Sequence, residues 1–174
     1  MLYDYHFHSD ISLDSDTDMH DMCARADALG CLGGVCLTEH LDLDYPNYDD
    51  FVIDMDEYRA KYLKVCEDFP NLDIRFGMEV GYQKHVCSEQ EAIIHSREFD
   101  FIVNSVHIVD GLDIYIKDYY APGMQAQRYK RYLELIYESV CAPVTYSVVG
   151  HMGYVARIST YNKKDIAYSD FPEL

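Results

Sequence analysis

Near the start of the chain two histidines alternate across one residue, in Asp4-Tyr5-His6-Phe7-His8-Ser9. In an extended segment residues i and i+2 point the same way, so both imidazoles can meet one ion. Further along, Glu39 and His40 follow Thr38, and Glu79 sits in Gly77-Met78-Glu79-Val80-Gly81. His107 ends Ser105-Val106-His107, and His151 follows Gly150 and precedes Met152-Gly153. Imidazole and carboxylate form the donor set of zinc, manganese or iron, and no thiolate takes part. A carboxylate such as Glu79 can bridge two ions, and paired ions can clamp a phosphate and activate water.

Something must bring these groups together, and the pattern between them says what. Residues 2–6, 34–38, 73–80, 99–106 and 144–150 read as short apolar strands. Residues 17–29 carry Met19, Met22, Ala26 and Leu29 at helical spacing, with Gly30 as a stop. Residues 54–69 place Tyr58, Tyr62, Val65 and Phe69 on one helical face, and Ser88 with Glu91 spells a capping box for a short helix through His95. Residues 122–140 read as a long helix with Pro122 near its start and Leu133, Ile136 and Val140 in period. Strand and helix alternate throughout, which predicts a parallel α/β sheet or barrel. A His or Glu then falls at the C-terminal end of each strand, the edge that carries the active site in such folds. The bland alternative, satisfied structural polar groups, supplies no packing reason for that shared location.

With 174 residues the chain suits one domain. It has no apolar run long enough to span a membrane and no signal pattern at its start, which predicts a cytoplasmic protein. The six cysteines, none in a Cys-x-x-Cys pair, read as buried reduced thiols. A net charge of -17 argues against nucleic acid as a partner. It leaves room for a small phosphorylated substrate, because a metal cluster can reverse the local field. His20 reads as a surface residue, His85 as a surface residue at the site's edge rather than a substrate contact, and His95 as a partner of a helix C-terminus. The acidic run Asp42, Asp44, Asp49, Asp50, Asp54 and Asp56 reads as a solvated loop, and the tyrosines from Tyr129 to Tyr137 as the packing face of a helix.

The motifs around His6, His40, Glu79, His107 and His151 occur in the order seen in the PHP (polymerase and histidinol phosphatase) family. The later ones, Ser105-Val106-His107-Ile108-Val109-Asp110-Gly111 and Gly150-His151-Met152-Gly153-Tyr154-Val155-Ala156-Arg157, resemble the histidinol phosphatase branch. The resemblance implies a distorted (β/α)7 barrel with up to three divalent ions, zinc first, with manganese and iron admitted by the same donors. Carried over residue by residue, His6, His8 and Glu79 hold one ion, Glu79, His107 and His151 a second, and Asp14 with His40 a third. Asp14 stands where many relatives have histidine, and a structural role is its alternative. Arg157 matches an arginine that faces the substrate phosphate, with a surface salt bridge as its alternative. Glu39 supports neighbouring ligands rather than binding an ion.

Relatives continue into a later Asp-x-His motif, and none occurs here after residue 157. The expectation is therefore a single PHP domain over residues 1–174, an incomplete barrel of about five parallel strands truncated before that motif, poorly active alone and open to self-association through an exposed sheet edge. The implied function is hydrolysis of a small phosphomonoester, L-histidinol phosphate in histidine biosynthesis, with Glu79 and Arg157 as the catalytic pair. The alternatives are a PHP phosphoesterase acting on nucleotide-type substrates and a non-catalytic metal-binding remnant.

Overall fold

In the computed structural model, which describes residues 2–46 and 53–173, strands are laid down side by side in chain order. They are β1 (Leu2–Phe7), β2 (Leu32–Leu41), β3 (Asp73–Gly81), β4 (Phe101–Ser105) and, at the far side, β7 (Val148–Val149). All four pairings are parallel, giving an open α/β half-barrel. The crossovers are helical: α1 (Met19–Leu29), α2 (Met55–Asp68), α3 (Cys87–His95) and α4 (Gln125–Cys141). A two-stranded hairpin, β5 (Ile108–Val109) with β6 (Leu112–Asp113), follows β4, and a short helix α5 (Tyr154–Ile158) follows β7.

Local chemistry accounts for the helix ends. Asp18 and Asp54 accept hydrogen bonds from the first free backbone N–H groups of α1 and α2. Gly30 closes α1 at φ 63°, a left-handed conformation that glycine adopts without strain. The capping box expected at Ser88 is not formed. A 3-10 turn, Lys84–Val86, runs straight into α3, so Ser88 lies inside the helix, and Glu91 instead accepts from the backbone and hydroxyl of Thr145. The fifth strand is shorter than expected. Bonds from Ser147 N to Ile102 O and from Gly150 N to Asn104 O bracket the Val148–Val149 pairing, and residues 144–146 lie outside the ladder.

Register decides which face each residue serves. His40 pairs with Glu79, and Leu37 with Phe76, so the two sets lie on opposite faces. Val35, Leu37, Leu41, Ile74, Phe76 and Met78 pack outward against Met19, Cys23 and Ala26 of α1 and Tyr58 and Val65 of α2. Each such large side chain contributes about 1.5–3 kcal/mol on burial. A second core gathers Tyr119, Tyr120, Tyr129, Tyr132 and Ile136 around Val106 and Val155. Tyr137 departs from the expected packing face: it is exposed, as is Val140. Among the cysteines, Cys23 and Cys36 are buried and burial pushes their thiols up to about 12, but Cys31 and Cys141 are exposed, and all are free. No helix among the described residues is long and apolar enough to cross a membrane.

Candidate metal centre

The inner face of the half-barrel is lined with small residues at its C-terminal edge. A Cβ at Gly77 would meet backbone oxygens of β2 and β4 below 3.0 Å, and one at Gly150 would overlap Ser105 Oγ. In β1 the register slips between Asp4 and Phe7, a bulge beside the site that re-aims the strand end. Both His6 and His8 then turn toward Glu79, at 3.5 and 3.2 Å.

Glu79 is the hub. Its carboxylate, buried on β3, also meets His40 Nδ1 at 3.4 Å, His107 Nε2 at 3.3 Å and His151 Nε2 at 2.8 Å, and accepts a 2.6 Å hydrogen bond from Ser105 Oγ. Five imidazoles thus surround one carboxylate. The rings of His8 and His40 stack 4.2 Å apart, and His6 Nδ1 is held by Thr38 Oγ1 at 2.8 Å. Asp14 reaches His40 Nε2 at 3.3 Å from the rim, half exposed. The structure therefore brings together His6, His8, His40, Glu79, His107 and His151, with Asp14 at their margin. Arg157 lies on α5, exposed, near Tyr154, whose ring stands 4.7 Å from that of His151. Glu39 faces away from the cluster and accepts hydrogen bonds from Ser9 N–H, Ser9 Oγ and Ser12 Oγ.

The acidic run is not a solvated loop throughout. Asp42 is buried, with Oδ1 2.9 Å from His107 Nδ1 and Oδ2 2.9 Å from His40 Nδ1. The signal was in the sequence: His40 and Asp42 are two apart in one extended segment, the same parity that couples His6 to His8. Asp44 pairs with exposed His85 at 2.7 Å, Asp54 caps α2 and Asp56 pairs with Arg97, while Asp49 and Asp50 lie outside the described residues. His20 and His95 are surface residues, beside Asp68 and Glu91.

Electrostatics follow from this crowding. Burial pushes the Glu79 carboxyl up, but His107, His151 and His8 outweigh it and hold it well below the usual range. Burial likewise disfavours the charged forms of His40 and His107, yet Asp14 and Asp42 raise His40 to about 9, and Asp42 and Glu79 raise His107 well above its ordinary value. Burial and the neighbouring imidazoles leave His6 lowered.

These residues fit a divalent cation. The ligand atoms of His6, Glu79 and His151, of His8, His40 and Glu79, and of His40, Asp42 and His107 each lie within 4.8 Å of one another. His151 Nδ1 is buried without a hydrogen-bond partner among the described residues. Nitrogen and carboxylate donors suit zinc, manganese or iron. A metal must displace the protons held on His40 and His107, so falling pH works against it. Zinc addition is expected to release protons, and apparent affinity to rise with pH as His40 and His107 give theirs up. A pH-independent affinity measured by chelator competition would contradict this assignment.

Comparison with known proteins agrees. The chain is 25% identical over 173 residues to a Clostridium acetobutylicum protein named "Probable histidinol-phosphatase", covering 99% of this chain and 66% of that protein. It is 31% identical over 173 residues to the histidinol-phosphatase of Lactococcus lactis subsp. lactis, covering 98% and 64%. The chain thus spans just under two thirds of the length of these curated relatives. The crystal structure of the Lactococcus histidinol phosphate phosphatase, complexed with zinc, L-histidinol and phosphate, superposes with a TM-score of 0.91 at 29% identity, over 98% of this chain and 65% of that one. The half-barrel corresponds to part of that longer fold. The sequence pattern of the PHP domain matches residues 4–173, and with that span matched, the chain belongs to the PHP domain family.

Proposed function

We propose that the cluster is the metal centre of a phosphomonoesterase whose substrate is L-histidinol phosphate, a step of histidine biosynthesis. The observation that carries the reading is Glu79, a buried carboxylate ringed by five imidazoles at the C-terminal edge of a PHP fold. The similarity to a phosphatase that holds zinc, L-histidinol and phosphate supports the substrate. Up to three divalent ions, zinc foremost, are assigned as the family resemblance implies: His6, His8 and Glu79 for one, Glu79, His107 and His151 for a second, Asp14 and His40 for a third. Bound ions supply Lewis acidity toward a phosphoryl oxygen and lower the pKa of water.

The chain's own groups do the positioning. Ser105 Oγ fixes Glu79 and Thr38 Oγ1 fixes His6, so the shared carboxylate keeps one orientation. Arg157 follows His151 by one short helix and makes no ion pair among the described residues, which leaves its planar fork for phosphate oxygens. Free cysteines suit a reducing cytoplasm. Leu2, Tyr3 and Tyr5 on edge strand β1 are exposed and offer a surface for self-association.

The test is phosphate release by the zinc-loaded chain from L-histidinol phosphate, with nucleoside monophosphates as competitors. Preferential release from L-histidinol phosphate is expected. Zinc binding without release from any monoester would make this a metal-binding module, and preference for nucleotides would move the substrate class. Arg157→Ala is expected to raise KM about 10-fold to 100-fold, the loss of a charged hydrogen bond of about 1.5–3 kcal/mol, with zinc content unchanged. Loss of zinc, or unaltered kinetics, would remove Arg157 from phosphate recognition.

A further inference from the structure

We propose that Asp42 is a positioning residue of the metal centre, a single buried carboxylate that hydrogen-bonds His107 from behind and fixes the tautomer and orientation of that ring. This rests on the metal-binding reading above and adds a residue outside the ligand set carried over from the family.

The argument is geometric. The two nitrogens of an imidazole lie on opposite sides of its ring. In His107, Nδ1 is 2.9 Å from Asp42 Oδ1, and Nε2 is 3.3 Å from Glu79 Oε1. An ionised carboxylate only accepts, so Nδ1 carries a hydrogen and donates it, and the Nε2 lone pair is the one a cation would take when it displaces the ring's second proton. Metal-binding histidines are held by carboxylates in this way, which fixes the ring and raises its basicity. The second oxygen, Oδ2, lies in charge contact with His40 Nδ1 at 2.9 Å, a nitrogen that also faces Glu79 at 3.4 Å, while His40 Nε2 points to Asp14 at 3.3 Å. One side chain, 1% exposed, therefore sets the His107 ring and places its second oxygen against His40.

The backbone makes room for it at one place. Gly81 is the last residue of β3, two beyond Glu79, and a Cβ there would overlap Asp42 Oδ1 and stand 3.1 Å from His107 Nδ1. The strand that carries the central carboxylate thus also seats the residue that orients its neighbours.

Asp42→Asn keeps the shape but replaces one accepting oxygen by a donor. Zinc affinity by chelator competition, metal stoichiometry, the visible spectrum of the cobalt-loaded chain and the melt of the metal-free chain are the measurements. Zinc affinity is expected to fall 10-fold to 100-fold, with a shifted cobalt spectrum, unchanged stoichiometry at saturation and a metal-free melt close to that of the unaltered chain. Asp42→Glu, which keeps the charge but displaces the oxygens, is expected to weaken zinc in the same direction and serves if the Asn variant does not fold. Tyr58→Phe is the control. Its hydroxyl donates to the carbonyls of Leu37 and Gly77 in the same sheet, so its loss should lower the melt and leave zinc affinity and the cobalt spectrum unchanged. Unchanged affinity and spectrum in the Asp42 variants would overturn the proposal. So would the loss of one ion with the remaining cobalt signature intact, which would make Asp42 a ligand. So would an affinity loss that Tyr58→Phe reproduces, which would make the role structural only. An unaltered chain that binds no zinc would overturn the metal reading itself and this proposal with it.

Discussion

On the proposed phosphatase reading, Glu79→Gln is expected to lower turnover of L-histidinol phosphate by at least about 100-fold while leaving the fold in place. Glutamine keeps the shape and an oxygen for Ser105 Oγ, which donates to Oε1 at 2.6 Å. It removes the charge that every imidazole of the cluster faces, and the amide presents N–H groups where a cation must sit. The stability cost depends on pH, and its sign can be worked out. Glu79 helps raise His107 well above its ordinary value, so that stabilisation is fully present below the unfolded pKa of about 6.5 and is lost as pH rises through the folded value. The variant should therefore be destabilised most in mild acid and approach the unaltered chain as pH rises and His107 gives up its proton. Turnover, zinc content and thermal melts across that range check both halves. An unchanged rate at full zinc loading would remove Glu79 from the mechanism.

Glu39→Ala is expected to cost about 3 kcal/mol of stability and to weaken zinc about 10-fold, although Glu39 touches none of the clustered imidazoles. Its buried carboxylate accepts from Ser9 N–H at 3.1 Å and from the hydroxyls of Ser9 and Ser12 at 2.6 Å. Ser12 Oγ in turn accepts from His40 N–H at 3.0 Å and lies 3.4 Å from His8 Nδ1. Truncation leaves these donors buried and unpaired, and frees the loop that carries His8 and Asp14. Urea unfolding and zinc titration measure the two effects. Full stability in the variant would show that the loop is anchored elsewhere.

The placement of the cluster was legible in the sequence because a parallel α/β fold presents the C-terminal ends of its strands on one edge. Residues that follow successive strands must therefore converge. The side of the strand was legible for His6 and His8 from their parity. Asp42 was missed because the apolar run that marks β2 stops at Thr38, while the strand itself continues through Glu39 and His40 to Leu41. Read as a loop, Asp42 has no face. Read as the next position after a strand, it shares one with His40. The sequence marks Glu39 as a supporting group, but its partners, Ser9 and Ser12, come from a turn that carries no periodic signal.

Residue types and their spacing determined by themselves most of the donor set, the alternation of strand and helix and the end of the sheet where chemistry collects, since these depend on local periodicity and on the parallel winding of the chain. Tertiary structure alone decided which imidazole meets which oxygen. The bulge in β1 that turns His6, the missing side chains at Gly81 and Gly150, and the seating of Asp42 against His107 arise from register between strands distant in sequence. A hydrogen bond of 2.9 Å between residues 42 and 107 depends on where two strands end in space, and no local pattern encodes that distance.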